Sequence, residues 1–304
     1  MSRSQVQSGH AFEYGIACAF NRQYGSSVLL DDEFTQRAKT AFTNCDDEEQ
    51  EKIFRASDQI AAFLITSDNN LRPRDGYAIR LQSDMKGKDG DVRDVLISNS
   101  GLEIGISAKN RHTAVKHSRL SDTNDFGNIW FGTPCHPEYF EQIGPMFCEL
   151  RTLERQEALW RNLENKAKRF YIPILDAFKD EVERSCKDIS NTPKLLVEYL
   201  LGKCDFYKIV KKNGDVTIES FNLHGTLDWG VDVKLPTRMI EARLKDNSEN
   251  TMILTFDNGW QLSFRIHNAE SRVIPSLKFD VQIIGSPDKS QQHIHYMGEA
   301  GCHN

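Results

Sequence analysis

Residues 91–109 read DVRDVLISNSGLEIGISAK, two largely apolar runs parted by Asn99-Ser100-Gly101. Asn and Gly accept the positive φ that tight turns demand, so such runs close on one another as an antiparallel hairpin. Register then decides which side chains meet. A two-residue Ser100-Gly101 loop sets Asp94 opposite Ser107, whereas a three-residue loop sets Asp91 opposite Lys109. Either way a carboxylate comes beside the far end of the second strand. Glu103, Ser107 and Lys109 share one face of that strand, because side chains repeat every two residues. Carboxylates next to a lysine can hold a divalent cation and orient a water. The competing reading is a surface hairpin whose charges are merely solvated.

The rest of the chain supplies helices and further hairpins. Residues 9–24 carry Phe12, Ile16, Ala19 and Phe20 at helical spacing. Residues 46–66 open with the acidic run DDEEQE, suited to a helix N-terminus, and continue through Ile53, Ile60 and Leu64. The stretch 151–187, with Leu153, Leu159, Leu163, Phe170, Ile174, Phe178 and Val182, predicts a helix broken at Pro173. One more helix, LLVEYLL, stops at Gly202. Beyond it, YKIVKK-NG-DVTIESF and MILTF-DNG-WQLSFRI predict two hairpins. The expected fold is α/β, with a mixed sheet and flanking helices over residues 1–194 and a β-rich subdomain over 195–304.

A chain of 304 residues with 39% hydrophobic content buries roughly 75% of its unfolded surface and needs no crosslinks to build a core. Its seven cysteines are widely spaced and never form a CxxC pair, which argues for a reducing cytoplasm. No apolar run approaches the roughly 18 residues of a membrane span, and MSRSQVQSGHAFEYG lacks the apolar stretch of a secretory signal. The net charge of −6 offers no global attraction to nucleic acid, so any binding depends on where positive charge gathers.

An aspartate heading one strand, with an acidic-x-Lys closing the next, is the PD-(D/E)XK nuclease pattern, and Asp94 … Ser107-Ala108-Lys109 resembles it. Serine stands at the second acidic place, so another carboxylate must supply that ligand. Gly9-x-x-x-Glu13 is similar to the N-terminal helix that lends a glutamate in several such nucleases. Glu103 is the other candidate. It sits two pleats before Ser107, roughly 13 Å away at about 3.3 Å per residue, too far for both to touch one ion. Glu13 is therefore preferred. Together with KHSRLS (116–121), GWQLSFRIHNA (259–269) and SLKFDVQIIG (276–285), the hairpin resembles the HaeIII-like family of type II restriction endonucleases. That resemblance implies a PD-(D/E)XK core and magnesium-dependent double-strand cleavage of DNA at a short sequence such as GGCC. It also implies a homodimer matched to a palindromic target. Asp94, Asp91, Ser107 and Lys109 become the candidate catalytic residues, and Asp94, Glu13 and Glu103 the candidate metal ligands. The serine favours a rival reading, a non-catalytic sequence-specific DNA-binding protein on the same fold.

Between residues 101 and 120 four Lys/Arg face one acidic residue, a local positive patch. Arg111, Lys116, His117, Arg119 and Ser121 are thus candidate DNA contacts, with phosphates as the natural partners. Lys203, Lys208, Lys211 and Lys212 form a second basic cluster. Arg265, His267 and Asn268 alternate along a strand and its exit, and Arg and Asn can pair bidentately with guanine and adenine edges. His293, His295, Cys302 and His303 fit a frayed terminus better than a zinc site.

Overall fold

The computed structural model describes residues 3–25, 28–82, 91–110 and 116–296. In chain order the helices are α1 (Arg3–Tyr24), α2 (Glu33–Thr43), α3 (Asp47–Ser67), α4 (Phe126–Phe131), α5 (Pro137–Arg155), α6 (Ile172–Asp188) and α7 (Thr192–Leu201). The strands are β1 (Val28–Leu29), β2 (Ala78–Leu81), β3 (Val95–Asn99), β4 (Leu102–Asn110), β5 (Lys116–Leu120), β6 (Phe206–Lys212) and β7 (Asp215–Phe221). They continue with β8 (Met239–Leu244), β9 (Thr251–Phe256), β10 (Gln261–Asn268), β11 (Leu277–Gly285) and β12 (Gln291–His295). The fold is mixed α/β. No described helix is long and apolar enough to cross a membrane, and the six cysteines among the described residues are free thiols.

The chain forms two compact units, one from Met1–Thr113, Gly202–Val233 and Asp288–Asn304, the other from Ala114–Leu201 and Lys234–Pro287. This interleaving differs from a single division at residue 195. The cause is pairing: β4 takes β6 as its parallel neighbour, which draws the chain after α7 back into the sheet that holds the hairpin.

In the first unit the sheet order is β1-β2-β3-β4-β6-β7-β12. Asn99 pairs with Leu102, so the hairpin turns on Ser100 and Gly101, whose φ values are 47° and 90°. Two consecutive positive φ values are what a type I′ hairpin turn requires, and Gly adopts them without Cβ strain. One face of the sheet is apolar. Ile79, Val95, Ile97, Ile104, Ile106, Ile209 and Ile218 pack there with Phe12, Ile16 and Phe20 of α1 and Ile53, Ile60 and Leu64 of α3, all fully buried or nearly so. Each such side chain contributes about 1.5–3 kcal/mol. Asp46 caps α3 by accepting from the Glu49 amide at 2.8 Å, as the acidic run suggested.

In the second unit β5-β11-β10-β9-β8 form an antiparallel sheet. Its inner face sets Phe264 and Phe279 against Phe178 of α6, with ring centroids 5.4 and 5.0 Å apart, and Trp130 of α4 joins the cluster. The helix expected over 151–187 is two. α5 ends at Arg155, Glu157 and Asn165 adopt positive φ on either side of a short 3-10 turn at Trp160–Asn162, and the chain then enters α6 through a π-turn at Ala167–Tyr171. Pro173 does not break it. It lies in the first turn of α6, where its missing amide is not needed.

Candidate active site

Asp94 immediately precedes β3, and the register of β3 on β4 carries it opposite Ser107. Its Oδ2 gathers three donors from one short segment: the Ala108 amide at 2.7 Å, Lys109 Nζ at 3.2 Å and the Ser107 hydroxyl at 3.3 Å. Asp94 is tied to its neighbours by main chain as well. Its amide donates to Ile106 O at 2.7 Å, and its carbonyl accepts from the Gln82 amide at 2.9 Å. Burial, reinforced by the negative charge of Glu13 on α1, pushes the Asp94 carboxyl up to about 6 despite the opposing Lys109 ammonium. Glu13 itself is mostly buried and pairs with His10 Nδ1 at 3.1 Å.

Asp91 and Glu103 are not brought to this group. Both are engaged by Arg93. Asp91 accepts from Arg93 Nε at 2.8 Å and NH2 at 2.7 Å, and Glu103 Oε1 lies 3.0 Å from the same guanidinium. Glu103 also accepts from Arg80 at 3.2 Å. Burial acts to raise the Asp91 carboxyl, but the hydrogen bonds and charge of Arg93 outweigh it and hold it below the usual carboxylate range. The stem of Arg93 crosses β4 at Gly105, where an added Cβ would fall 2.0 Å from Arg93 Cδ. Only glycine leaves room for that crossing.

Two carboxylates, Asp94 and Glu13, thus act on one another as like charges beside a hydroxyl. That donor set fits a hard divalent cation, which would relieve the repulsion and complete its shell with water. Among the described residues no three His, Cys, Asp or Glu side chains converge as a ready metal cluster, so two carboxylates would leave most of a cation's shell to water.

The candidate DNA contacts separate. Arg111 lies outside the described residues. Lys116 and His117 belong to β5, which pairs with β11 of the five-stranded sheet, not with the hairpin. Arg119 is exposed on the same strand and Ser121 accepts from the Thr123 amide in the turn that follows. Arg265 pairs across β10 and β11 with Asp280, to which it donates at 2.7 Å, and His267 with Lys278. Lys278 in turn pairs with Arg119. Alternation therefore puts Arg119, Lys278, Arg265 and His267 on one face of this sheet. Asn268 does not belong with them. It is buried, and its amide donates to Glu270 O at 2.6 Å and Arg272 O at 2.8 Å, closing the loop after β10. Trp260 is wholly buried core. The second basic cluster also divides: Lys211 is buried against Glu49 at 2.8 Å on the helix-covered face, whereas Lys208 stands opposite Ser107. His293 and His295 are exposed on β12 and bond to Thr217 and Asp215. Cys302 and His303 lie outside the described residues.

The model of the HaeIII restriction endonuclease family matches residues 9–287. The chain is 39% identical to the type II restriction enzyme HaeIII of Haemophilus aegyptius over 311 aligned positions, covering 94% of this chain and 96% of that protein. The chain belongs to the HaeIII restriction endonuclease family. Membership places it among the type II restriction enzymes, site-specific deoxyribonucleases. No solved structure matches the chain significantly. Within this family member, sequence reasoning passed over Arg93, placed Lys208 only in a basic cluster, and passed over Lys278. A signal existed for the last two. Each is a lysine set inside an apolar strand, YKIV and SLKF, where a charge is retained only if something pairs with it or uses it.

Proposed function

We propose that the chain makes magnesium-dependent double-strand cuts in DNA at GGCC, with the seven-stranded sheet serving as a PD-(D/E)XK core. The observation that carries this reading is the convergence of Ser107, Ala108 and Lys109 on one oxygen of Asp94. Asp94 and Glu13 would hold the ion, and Ser107, in the second acidic place, anchors Asp94 through its hydroxyl. Magnesium, when bound, supplies Lewis acidity that withdraws charge from the phosphodiester. Lys109 places its ammonium beside the attacking water, favours loss of the water's proton and balances the charge that builds on the phosphate oxygens. The water oxygen forms the new P–O bond, the ester P–O bond breaks, and the departing oxygen takes up a proton. No covalent enzyme intermediate is needed.

The face bearing the exposed Arg119 and Arg265 and the half-buried Lys278 and His267 supplies the recognition surface in this reading. Arg265 reads a guanine edge after exchanging Asp280 for the base, and Arg119 and Lys278 bind phosphates. A palindromic site has a two-fold axis, and a homodimer sharing that axis would bring one Asp94–Lys109 pair to each strand. Digestion of a GGCC-bearing plasmid with and without magnesium tests the proposal, with Lys109→Ala as the control. Defined fragments that appear only with magnesium and only for the wild type are expected. Cleavage that persists in Lys109→Ala would remove this hairpin from the chemistry.

A further inference from the structure

The parallel pairing of β4 with β6 sets Lys208 directly beside Ser107. Paired residues of neighbouring strands stand on the same face, about 4.8 Å apart between strands. Lys208 is therefore on the face that carries Asp94 and Lys109, not on the helix-covered side. Its side chain is largely buried, and Phe206 and Phe221, stacked at 4.9 Å, lie next to it along β6 and β7. A lysine buried in such surroundings calls for a compensating anion. The nearby carboxylate is Glu219, 3.9 Å away, beyond hydrogen-bonding distance and shared with Lys289 at 3.4 Å. Lys289 rests in turn over the Phe221 ring, 4.8 Å from its centre. Two ammonium groups, those of Lys208 and Lys289, thus approach this one carboxylate.

We propose that Lys208 is a further catalytic residue, whose ammonium contacts a non-bridging oxygen of the same phosphodiester that Lys109 serves. A lysine is suited to that task as a compact charge on a flexible stem. Glu219 holds it aside until DNA arrives, at a distance loose enough for exchange. The inference rests on the reading of Asp94 and Lys109 as the cleavage site.

The test is single-turnover cleavage of a GGCC duplex in magnesium by Lys208→Gln, Lys208→Arg and the double variant Lys208→Gln/Glu219→Gln, with Lys109→Ala alongside. Affinity for the same duplex in EDTA is measured over a range of salt. Lys208→Gln should slow cleavage on the order of 10²-fold, and Lys208→Arg, which keeps the charge, should restore most of the rate. The double variant keeps an amide oxygen at position 219 for Lys289, so it should fold, stay as slow as the single variant, and show a salt slope shallower by about 0.9. A double variant that cleaves at the wild-type rate with an unchanged slope overturns the proposal and makes Lys208 a structural partner of Glu219. Normal cleavage by Lys109→Ala would instead overturn the reading of the site beneath it.

Discussion

Replacing Asp94 by Asn should destroy cleavage and, in the absence of metal, stabilise the protein. The Asp94 carboxyl is moved from 3.8 to about 6 by burial and by the charge of Glu13. A folded-state value above the unfolded one means that the folded protein holds this proton more tightly. The group's favourable contribution is complete below pH 3.8 and is lost as pH rises through about 6. At pH 8 ionised Asp94 therefore works against folding by about 2 pH units of linkage, about 3 kcal/mol. Asn has the same shape, carries no charge, and still offers an oxygen to the Ala108 amide. Urea denaturation in EDTA should show Asp94→Asn ahead of wild type by up to about 3 kcal/mol at pH 8, with the gap closing toward pH 4. Added magnesium should raise the stability of the wild type and leave the variant unmoved, since only a ligand that binds the folded form stabilises it. A variant less stable than wild type at pH 8, or a gap of equal size at pH 4.5 and pH 8, would refute the claim that Asp94 is held ionised against its surroundings.

Asp91→Ala should behave in the opposite way: it strands the buried Arg93 with Glu103 alone, at a cost of about 3 kcal/mol, while cleavage by the folded fraction stays within about tenfold. Loss of cleavage without loss of stability would transfer Asp91 to the catalytic group. Glu13→Gln should raise the magnesium concentration needed for half-maximal cleavage, and Glu103→Gln should not, because Arg80 and Arg93 occupy Glu103; the reverse pattern in a magnesium titration would exchange their roles. Arg265→Ala should weaken binding to the target duplex by about 1–3 kcal/mol more than to a scrambled one. Asn268→Ala should instead lower stability by about 1–3 kcal/mol through the freed loop carbonyls, and a selective loss of target binding there would return Asn268 to the readers.

Local chemistry was legible in the residues alone. Turn residues, caps and apolar periodicity act over a few positions, so the hairpin at Ser100-Gly101, the Asn213-Gly214 turn and the acidic start of α3 could be read directly. So could the candidates Asp94, Asp91, Ser107 and Lys109, with the choice between the two aspartates open. The hairpin's register could not, because both loop lengths satisfy the same pattern and the choice falls to the packing of Val95 and Ile97 on the helices. Period two also placed Glu103 on the face of Ser107, yet it could not reveal the arginine that crosses Gly105 and takes both Glu103 and Asp91. Pairings between distant segments left still less trace. β4 meets β6 across about a hundred residues, and β5 leaves the hairpin's sheet for β11. A strand's sequence states which face is apolar but not which neighbour its backbone will bond. That choice depends on how the whole core closes, and it is what carried Lys208 to Ser107 and gathered Arg119, Lys278 and Arg265 on one face.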